Sequence, residues 1–288
     1  MEKKNQKSDI KTENSEYKNF NLIPERISTI QNMIGKNSIE SIIDFKNSTE
    51  SFEYPSNSED IRELLPKKYI DFGKAINELG GKLLYIKSGS TGHTFKGVYP
   101  PTNNNETQQN KEPYAVKIVA YPKKENYGDM YNIKRPENAE LLIIRLLSYF
   151  VINKQTPHIV LPITTFNTSI KPFLSLTKNN VVNNKKFEQF VERYEKGEYY
   201  QNVSILVSEW ANGGDLLDYL RKYYKTMKTN EWRIIFFQII STLAIIHHKY
   251  PQFRHNDMKA NNLLIHKIDI DESNKKYLYK INNTTYIV

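Results

Sequence analysis

The sequence predicts an α+β fold in two parts, an antiparallel sheet carrying one helix and then the beginning of a helical layer. Three observations predict it. From Lys82 onward, short runs rich in β-branched and aromatic residues alternate with glycine and polar turns. Between Pro136 and Asn153, Ala139, Leu142, Ile143, Leu146, Leu147 and Phe150 recur at three- and four-residue steps, the period of a packed helix. From Trp232 to His247 the chain is apolar nearly all round, so a helix there must be buried on most sides.

Taken in order, residues 1–20 are polar and charged and read as a disordered tail. They hold no apolar h-region, so no signal peptide is expected and a cytoplasmic location is. Residues 21–81 read as a helical N-terminal extension with two weakly amphipathic patterns. One places Ile27, Ile30, Ile34, Ile39, Ile42 and Ile43 at mixed helical spacing. The other places Ile61, Leu64, Leu65, Ile70 and Phe72 after a cap near Ser58. Neither carries recognisable chemistry, and bracing the sheet is the role expected of them.

The sheet begins with Leu83-Leu84-Tyr85-Ile86 and Thr94-Phe95-Lys96-Gly97-Val98-Tyr99, which flank Ser88-Gly89-Ser90-Thr91-Gly92-His93. Such a hairpin tip lets backbone N–H groups come close to phosphates. Taken alone it is also an ordinary glycine-containing turn. The Asn/Gln-rich stretch Thr102 to Lys111 is surface loop by composition. Tyr114-Ala115-Val116-Lys117-Ile118-Val119 follows as a strand with one lysine among apolar neighbours. After the 136–153 helix come Pro157-His158-Ile159-Val160-Leu161-Pro162, with His158 read as structural, and a long polar and aromatic insertion, Thr168 to Gln201, expected to be partly helical. Val203 to Ser208 then forms an apolar strand running through Glu209, Trp210, Ala211 and Asn212 into Gly213-Gly214-Asp215 at a helix start.

The most informative stretch is Phe253-Arg254-His255-Asn256-Asp257-Met258-Lys259-Ala260-Asn261-Asn262-Leu263-Leu264-Ile265. It gathers a carboxylate, an ammonium and an amide in one loop, followed by an apolar run that reads as a short buried strand. That set can accept a hydroxyl proton, neutralise a transferring phosphoryl group and hold a metal ion.

These motifs, in this order from about residue 82 to 265, resemble the N-terminal part of the catalytic domain of eukaryotic-type Ser/Thr protein kinases. The loop matches H-R-D-L-x-x-x-N with Asn256 in place of Arg and Met258 in place of Leu. Lys259, two residues after Asp257, is similar to the Ser/Thr kinases in particular. The His-Asn-Asp wording further resembles the kinases of poxviruses and other large DNA viruses. The resemblance implies a protein kinase domain over 82–288, with a small lobe over 82–210 and the start of a large lobe over 211–288. Asp257 and Lys259 would be catalytic, and Asn262 a Mg²⁺ ligand. ATP would be cradled by Lys87, Ser88, Gly89, Ser90, Thr91, Gly92, His93 and Thr94. Gly89 and Gly92 take the second and third glycine positions of G-x-G-x-x-G-x-V, Lys87 the first and Thr94 the valine position. Lys117 would contact the α/β-phosphates and pair with Glu140, with Glu137 as the competing partner. Glu140 is preferred because Ile143, Ile144 and Leu147 follow it at core-facing steps. Ser208 would be the gatekeeper, the Glu209 carbonyl and Ala211 N–H would meet adenine, and Asp215 would stand near the ribose.

Two departures qualify that implication. Asn256 carries no charge with which to hold a phosphorylated activation loop, so any activity is expected not to depend on such a modification. The sequence holds no Asp-Phe-Gly after the loop, and Asp269, Asp271 and Glu272 read as exposed carboxylates. Asn262 is then the one recognisable metal ligand. The chain is therefore expected to be truncated, or completed by another polypeptide that covers the apolar Trp232 helix.

Composition narrows the alternatives. The 288 residues contain no cysteine, which excludes disulfides, thiolate catalysis and Cys-ligated zinc. The net charge of +9 is spread through mixed runs, so no specific nucleic-acid partner is expected. Ile234 to Ile246 is too short and too interrupted by polar residues to span a bilayer. The expected partner is a protein substrate presenting Ser or Thr. The competing reading is a catalytically inactive nucleotide-binding or interaction module.

Overall fold

The structure, a computed structural model, describes residues 22–34, 39–45, 58–89, 91–99, 112–176, 184–267, 278–281 and 284–287. The tail over 1–20, Ser90, the 102–111 loop, Asp269, Asp271 and Glu272 lie outside the described residues.

The centre is a five-stranded antiparallel sheet made of β1 (Lys82–Ser88), β2 (Gly92–Val98), β3 (Tyr114–Pro122), β4 (Pro162–Ser169) and β5 (Tyr199–Glu209), in the order β1-β2-β3-β5-β4. The central pair explains its own sequence. Val116, Ile118, Val203, Ile205 and Val207 are all fully buried, because β3 and β5 each have strands on both sides and layers on both faces. β4 is an edge strand, yet almost wholly buried. Its edge is covered by the N-terminal extension: Ile42 N–H donates to the Ile163 carbonyl at 3.2 Å and Asn167 N–H to the Lys68 carbonyl at 2.8 Å. Covering an edge in this way removes a template for unwanted strand pairing.

Four helices coat the sheet. α1 (Leu22–Ile34) contributes Ile23, Ile30 and Ile34 to the main core. α2 (Phe72–Leu79) starts at Asp71, whose carboxylate accepts the Lys74 N–H at 3.0 Å, and ends at Gly80 with φ 81°. α3 (Pro136–Ile152) opens on a proline, whose missing N–H costs nothing in a first turn. α4 (Asn184–Glu195), inside the long insertion, buries Phe187 and Phe190 over the hairpin.

The remaining elements are α5 (Leu216–Tyr223), α6 (Thr229–Lys249) and the hairpin of β6 (Leu278–Ile281) with β7 (Thr284–Ile287). Tyr279 of β6 stacks on His158 and meets Phe237 of α6 edge-on.

Four sequence expectations change. The Ile27–Ile43 pattern is helical only as far as Ile34, and Ile39, Ile42 and Ile43 lie in irregular chain. The Ile61–Phe72 pattern is not one helix. Asp60 caps a 3-10 turn over Ile61–Glu63, the chain then runs extended, and α2 begins only at Phe72. Pro66 explains the break, since it cannot donate within a helix and disfavours helical geometry before it. The α6 helix is not buried on most sides: Ile234 is 40%, Phe236 54% and Ile240 62% exposed. On that face Tyr279 of β6 covers Phe237 and leaves these three side chains exposed. The run after Asn262 is not a buried strand either, because Leu264 is 52% exposed and forms only an isolated bridge to Asp215.

Candidate active site

The glycine hairpin is built by register. β1 and β2 pair from Lys82↔Val98 to Ser88↔His93, and β2 sets Thr94 beside Lys117 of β3. The tip is drawn tight by Gly89 N–H donating to the Gly92 carbonyl at 2.7 Å, and Ala120 N–H reaches the Thr91 carbonyl at 2.8 Å. A Cβ on Gly92 would lie 1.7 Å from the Ile118 carbonyl oxygen, so only glycine lets β2 approach β3 here. A cavity of about 220 Å³ opens at this tip, lined among others by Lys87, Thr94, Lys117 and the Lys186 side chain of α4.

Strand alternation divides the hairpin residues between two faces. Thr94 and Lys117 are partly exposed neighbours. Ser88 and His93, 5% and 1% exposed, turn the other way and bond to each other at 2.8 Å. The His93 ring packs against Phe187 and Phe190 of α4, and its burial pushes its pKa down to about 4. These two side chains therefore serve the hairpin's packing, and His93 Nε2 is buried with no hydrogen-bond partner.

Lys117 Nζ meets Glu140 Oε1 of α3 at 2.5 Å. Glu137 instead accepts from buried Arg135 at 3.2 Å. Lys117 and Glu140 are 44% and 48% exposed, and such a pair contributes no more than about 1 kcal/mol by itself. Its geometry must be imposed by what holds α3.

The chain connecting β5 to α5 is pinned from the N-terminal side. The Arg26 guanidinium of α1 donates to both carboxylate oxygens of Glu209 at 2.7 Å, and to the Pro157 and Ile159 carbonyls at the same distance. Glu209 in turn accepts the Leu161 N–H at 2.7 Å. This fork of charge-assisted bonds ties helix, connector and β4 approach together. Nothing in the local sequence pattern of Arg26 marks this role. Trp210 follows, with Lys96 of β2 4.9 Å from its ring centre. Among the described residues, the Ala211 N–H donates no hydrogen bond.

The connector also fixes the loop that carries Asp257. Gly213 N–H donates to Ile265 O at 2.8 Å, Ile265 N–H to Gly214 O at 2.8 Å, and Leu216 N–H to Leu263 O at 2.7 Å. A Cβ on Gly213 would come within 2.8 Å of Ile265 O, which accounts for glycine at this close approach. Asp215 caps α5 through the Asp218 N–H at 3.0 Å, and lies 3.8 Å from Lys87 Nζ, linking the hairpin to this connector.

Within the loop, Asn256 has φ 59°, a left-handed conformation that asparagine tolerates better than most residues. It turns the backbone so that two side chains converge on Asp257. Lys259 Nζ lies 2.7 Å from Oδ1, and Asn262 Nδ2 donates to Oδ2 at 2.7 Å and to the Asp257 carbonyl at 2.8 Å. The bond from Lys259, then that from Asn262, hold the Asp257 carboxyl below its usual range. It is therefore ionised and able to accept a proton. With Nδ2 committed to Asp257, Asn262 keeps Oδ1 for a cation. Among the described residues no cluster of three or more His, Cys, Asp or Glu could hold a metal.

Comparison with known proteins agrees with this geometry. The protein kinase domain family matches residues 96–278. A protein of Acanthamoeba polyphaga mimivirus, named provisionally as serine/threonine-protein kinase R400, is 41% identical over 270 residues, 91% of this chain and 54% of its own length. Serine/threonine-protein kinase dst4 of Dictyostelium discoideum is 26% identical over 102 residues, 35% of this chain and 20% of its own length. The chain thus spans about half the length of the mimivirus relative.

Proposed function

Since this chain belongs to the protein kinase family, matching it over residues 96–278, we propose that it transfers the γ-phosphate of ATP to serine or threonine hydroxyls of proteins. The observation that carries the reading is the convergence of Lys259 and Asn262 on an ionised Asp257, in a loop bonded to the β5–α5 connector. Asp257 accepts the hydroxyl proton as the acceptor oxygen attacks, and Lys259 neutralises charge on the passing phosphoryl group. Lys117, held by Glu140, contacts the α/β-phosphates. The backbone around Gly89 to Gly92 cradles the phosphates, and Ser90 and Thr91 belong to that proposed cradle. The Glu209 carbonyl and the open Ala211 N–H receive adenine, and Asp215 lies toward the ribose.

Mg²⁺ neutralises phosphate charge in this chemistry. The described residues offer it the Asn262 amide oxygen, so it would be held by Asn262 together with the nucleotide's own oxygens. The relatives' names support hydroxyl acceptors of the Ser/Thr class. The exposed stripe of Ile234, Phe236 and Ile240 on α6 supports a further polypeptide segment covering that helix. Among the described residues no helix is long and apolar enough to cross a membrane.

The test is transfer of labelled γ-phosphate to a generic protein substrate. Asp257→Ala is expected to lower the rate by about 10²- to 10⁴-fold while ATP still binds. The competing reading is nucleotide binding without transfer. ATP binding with no transfer by either form would establish that reading instead.

A further inference from the structure

We propose that residues 58–70 of the N-terminal extension form a strap that holds α3 against the sheet, so that Ile61 and Arg145 are positioning residues for the Lys117–Glu140 pair. The inference rests on the phosphoryl-transfer reading for its consequence, though not for its geometry.

The strap is fastened at both ends and through its middle. At its start, Asp60 bridges Asn132, the Ile61 N–H donates to the Tyr131 carbonyl at 2.9 Å, and the Ile133 N–H to the Glu59 carbonyl at 3.0 Å. Residues 131–133 lie immediately ahead of α3, so this short ladder grips the approach to the helix. Arg62 lies 3.8 Å over the Tyr131 ring and reinforces the grip. In the middle, Arg145 of α3 donates through Nη1 to the Leu64 carbonyl. At its far end, Lys67 Nζ donates to Ser204 of β5 at 2.6 Å, and Ile70 N–H to the Asn167 carbonyl of β4 at 2.9 Å. The strap thus runs from α3 to the two strands on the far side of β3.

Between these ties lies a separate apolar cluster. Ile61 and Leu65 of the strap pack with Leu141 and Leu142 of α3 and with Leu206 of β5. Its position connects it to the site. Leu141 follows Glu140 directly in α3, and Leu206 is the cross-strand partner of Lys117. One packed unit therefore touches the immediate neighbour of each member of the ion pair. The pair itself is about half exposed and cannot fix a helix, whereas Ile61 is fully buried and cannot be vacated without a void. The helix is set by the strap, and the pair follows the helix.

The experiment uses the full chain with two spin labels. The absence of native cysteine makes Ile143→Cys on α3 and Lys82→Cys on β1, both exposed, unique labelling sites. In this background Ile61→Ala is compared with Ile30→Ala, an equally buried isoleucine of α1 that lies in the other core cluster. Ile61→Ala is expected to broaden the α3–β1 distance distribution and to weaken ATP binding about fivefold or more, with Ile30→Ala changing neither. Arg145→Ala is expected to act in the same direction, with partial recovery in Arg145→Lys, which keeps a donor. Should Ile61→Ala not fold, Ile61→Val reads the same distances at a smaller perturbation. Unchanged distances in the Ile61 variant, or equal broadening in both isoleucine variants, overturns the strap. If the parent chain fails to bind ATP, the kinase reading falls while the distance measurement still decides the strap.

Discussion

The five-stranded sheet and the α6 helix have similar apolar content and opposite fates. Val116, Ile118, Ile205 and Val207 at the sheet centre are fully buried, whereas Phe236 and Ile240 on α6 are 54% and 62% exposed. The difference lies in what the described chain supplies around each. The sheet has α1, α2, α3 and α4 on its faces and the extension along its β4 edge. α6 buries Thr242 and Ile246 on one side, and on its other side Tyr279 meets Phe237 while Ile234, Phe236 and Ile240 stay exposed. Apolar residues state that a surface is to be covered, not by what.

The strongest way to break that comparison is to truncate one aromatic side chain in each region. Phe166→Ala, in fully buried β4, is expected to cost about 3–5 kcal/mol of unfolding free energy. Phe236→Ala is expected to fall within about 0.5 kcal/mol of the parent chain. Urea titration of both decides the matter, and comparable losses would mean that the α6 face is covered in solution.

Acidification sharpens the contrast next. Burial pushes His93 down to about 4, and burial followed by repulsion from Arg26 pushes His158 to about 4, against an ordinary value of 6.5. Above pH 6.5 both rings are neutral in the folded and the unfolded chain, and stability is whole. Between 6.5 and 4 the unfolded chain takes up protons that the folded chain refuses, so stability falls. Thermal melts are expected to drop steadily across that window, and His93→Phe, set among aromatic rings, should flatten part of the fall. A melt indifferent to pH from 7 to 4.5 would show that the rings are not buried.

A smaller effect is expected at the α1 clamp. Arg26→Ala removes the guanidinium donor from Glu209 and from two carbonyls, at a cost of about 1–3 kcal/mol. Limited proteolysis should then release α1 before the sheet unfolds. Simultaneous loss of both would make α1 inseparable from the sheet's core.

Much of the site was legible in the sequence because its parts are local. The hairpin 82–98, the strand holding Lys117, the connector through Gly213 and the loop around Asp257 each carry their residue types at short, fixed spacing. Glu140 was separable from Glu137 by the apolar side chains that follow it at helical steps. Other features had no such signal. Ser88 and His93 share the hairpin motif with Thr94, yet their side chains pack under α4, an element about a hundred residues away in sequence. The Ile61–Phe72 pattern read as one helix because its apolar residues serve two separate surfaces, the α3 cluster and the main core.

By itself, then, the sequence determined which segments become strands, helices and a carboxylate-bearing loop, because hydrophobic period, glycine and capping act over a few residues. Only the tertiary structure decided that Arg26 grips Glu209 across 183 positions, that Ile61 and Leu65 pack against α3, and that α6 keeps exposed apolar side chains. Those outcomes depend on which surfaces meet once the chain has folded back on itself, and no local spacing encodes such a meeting.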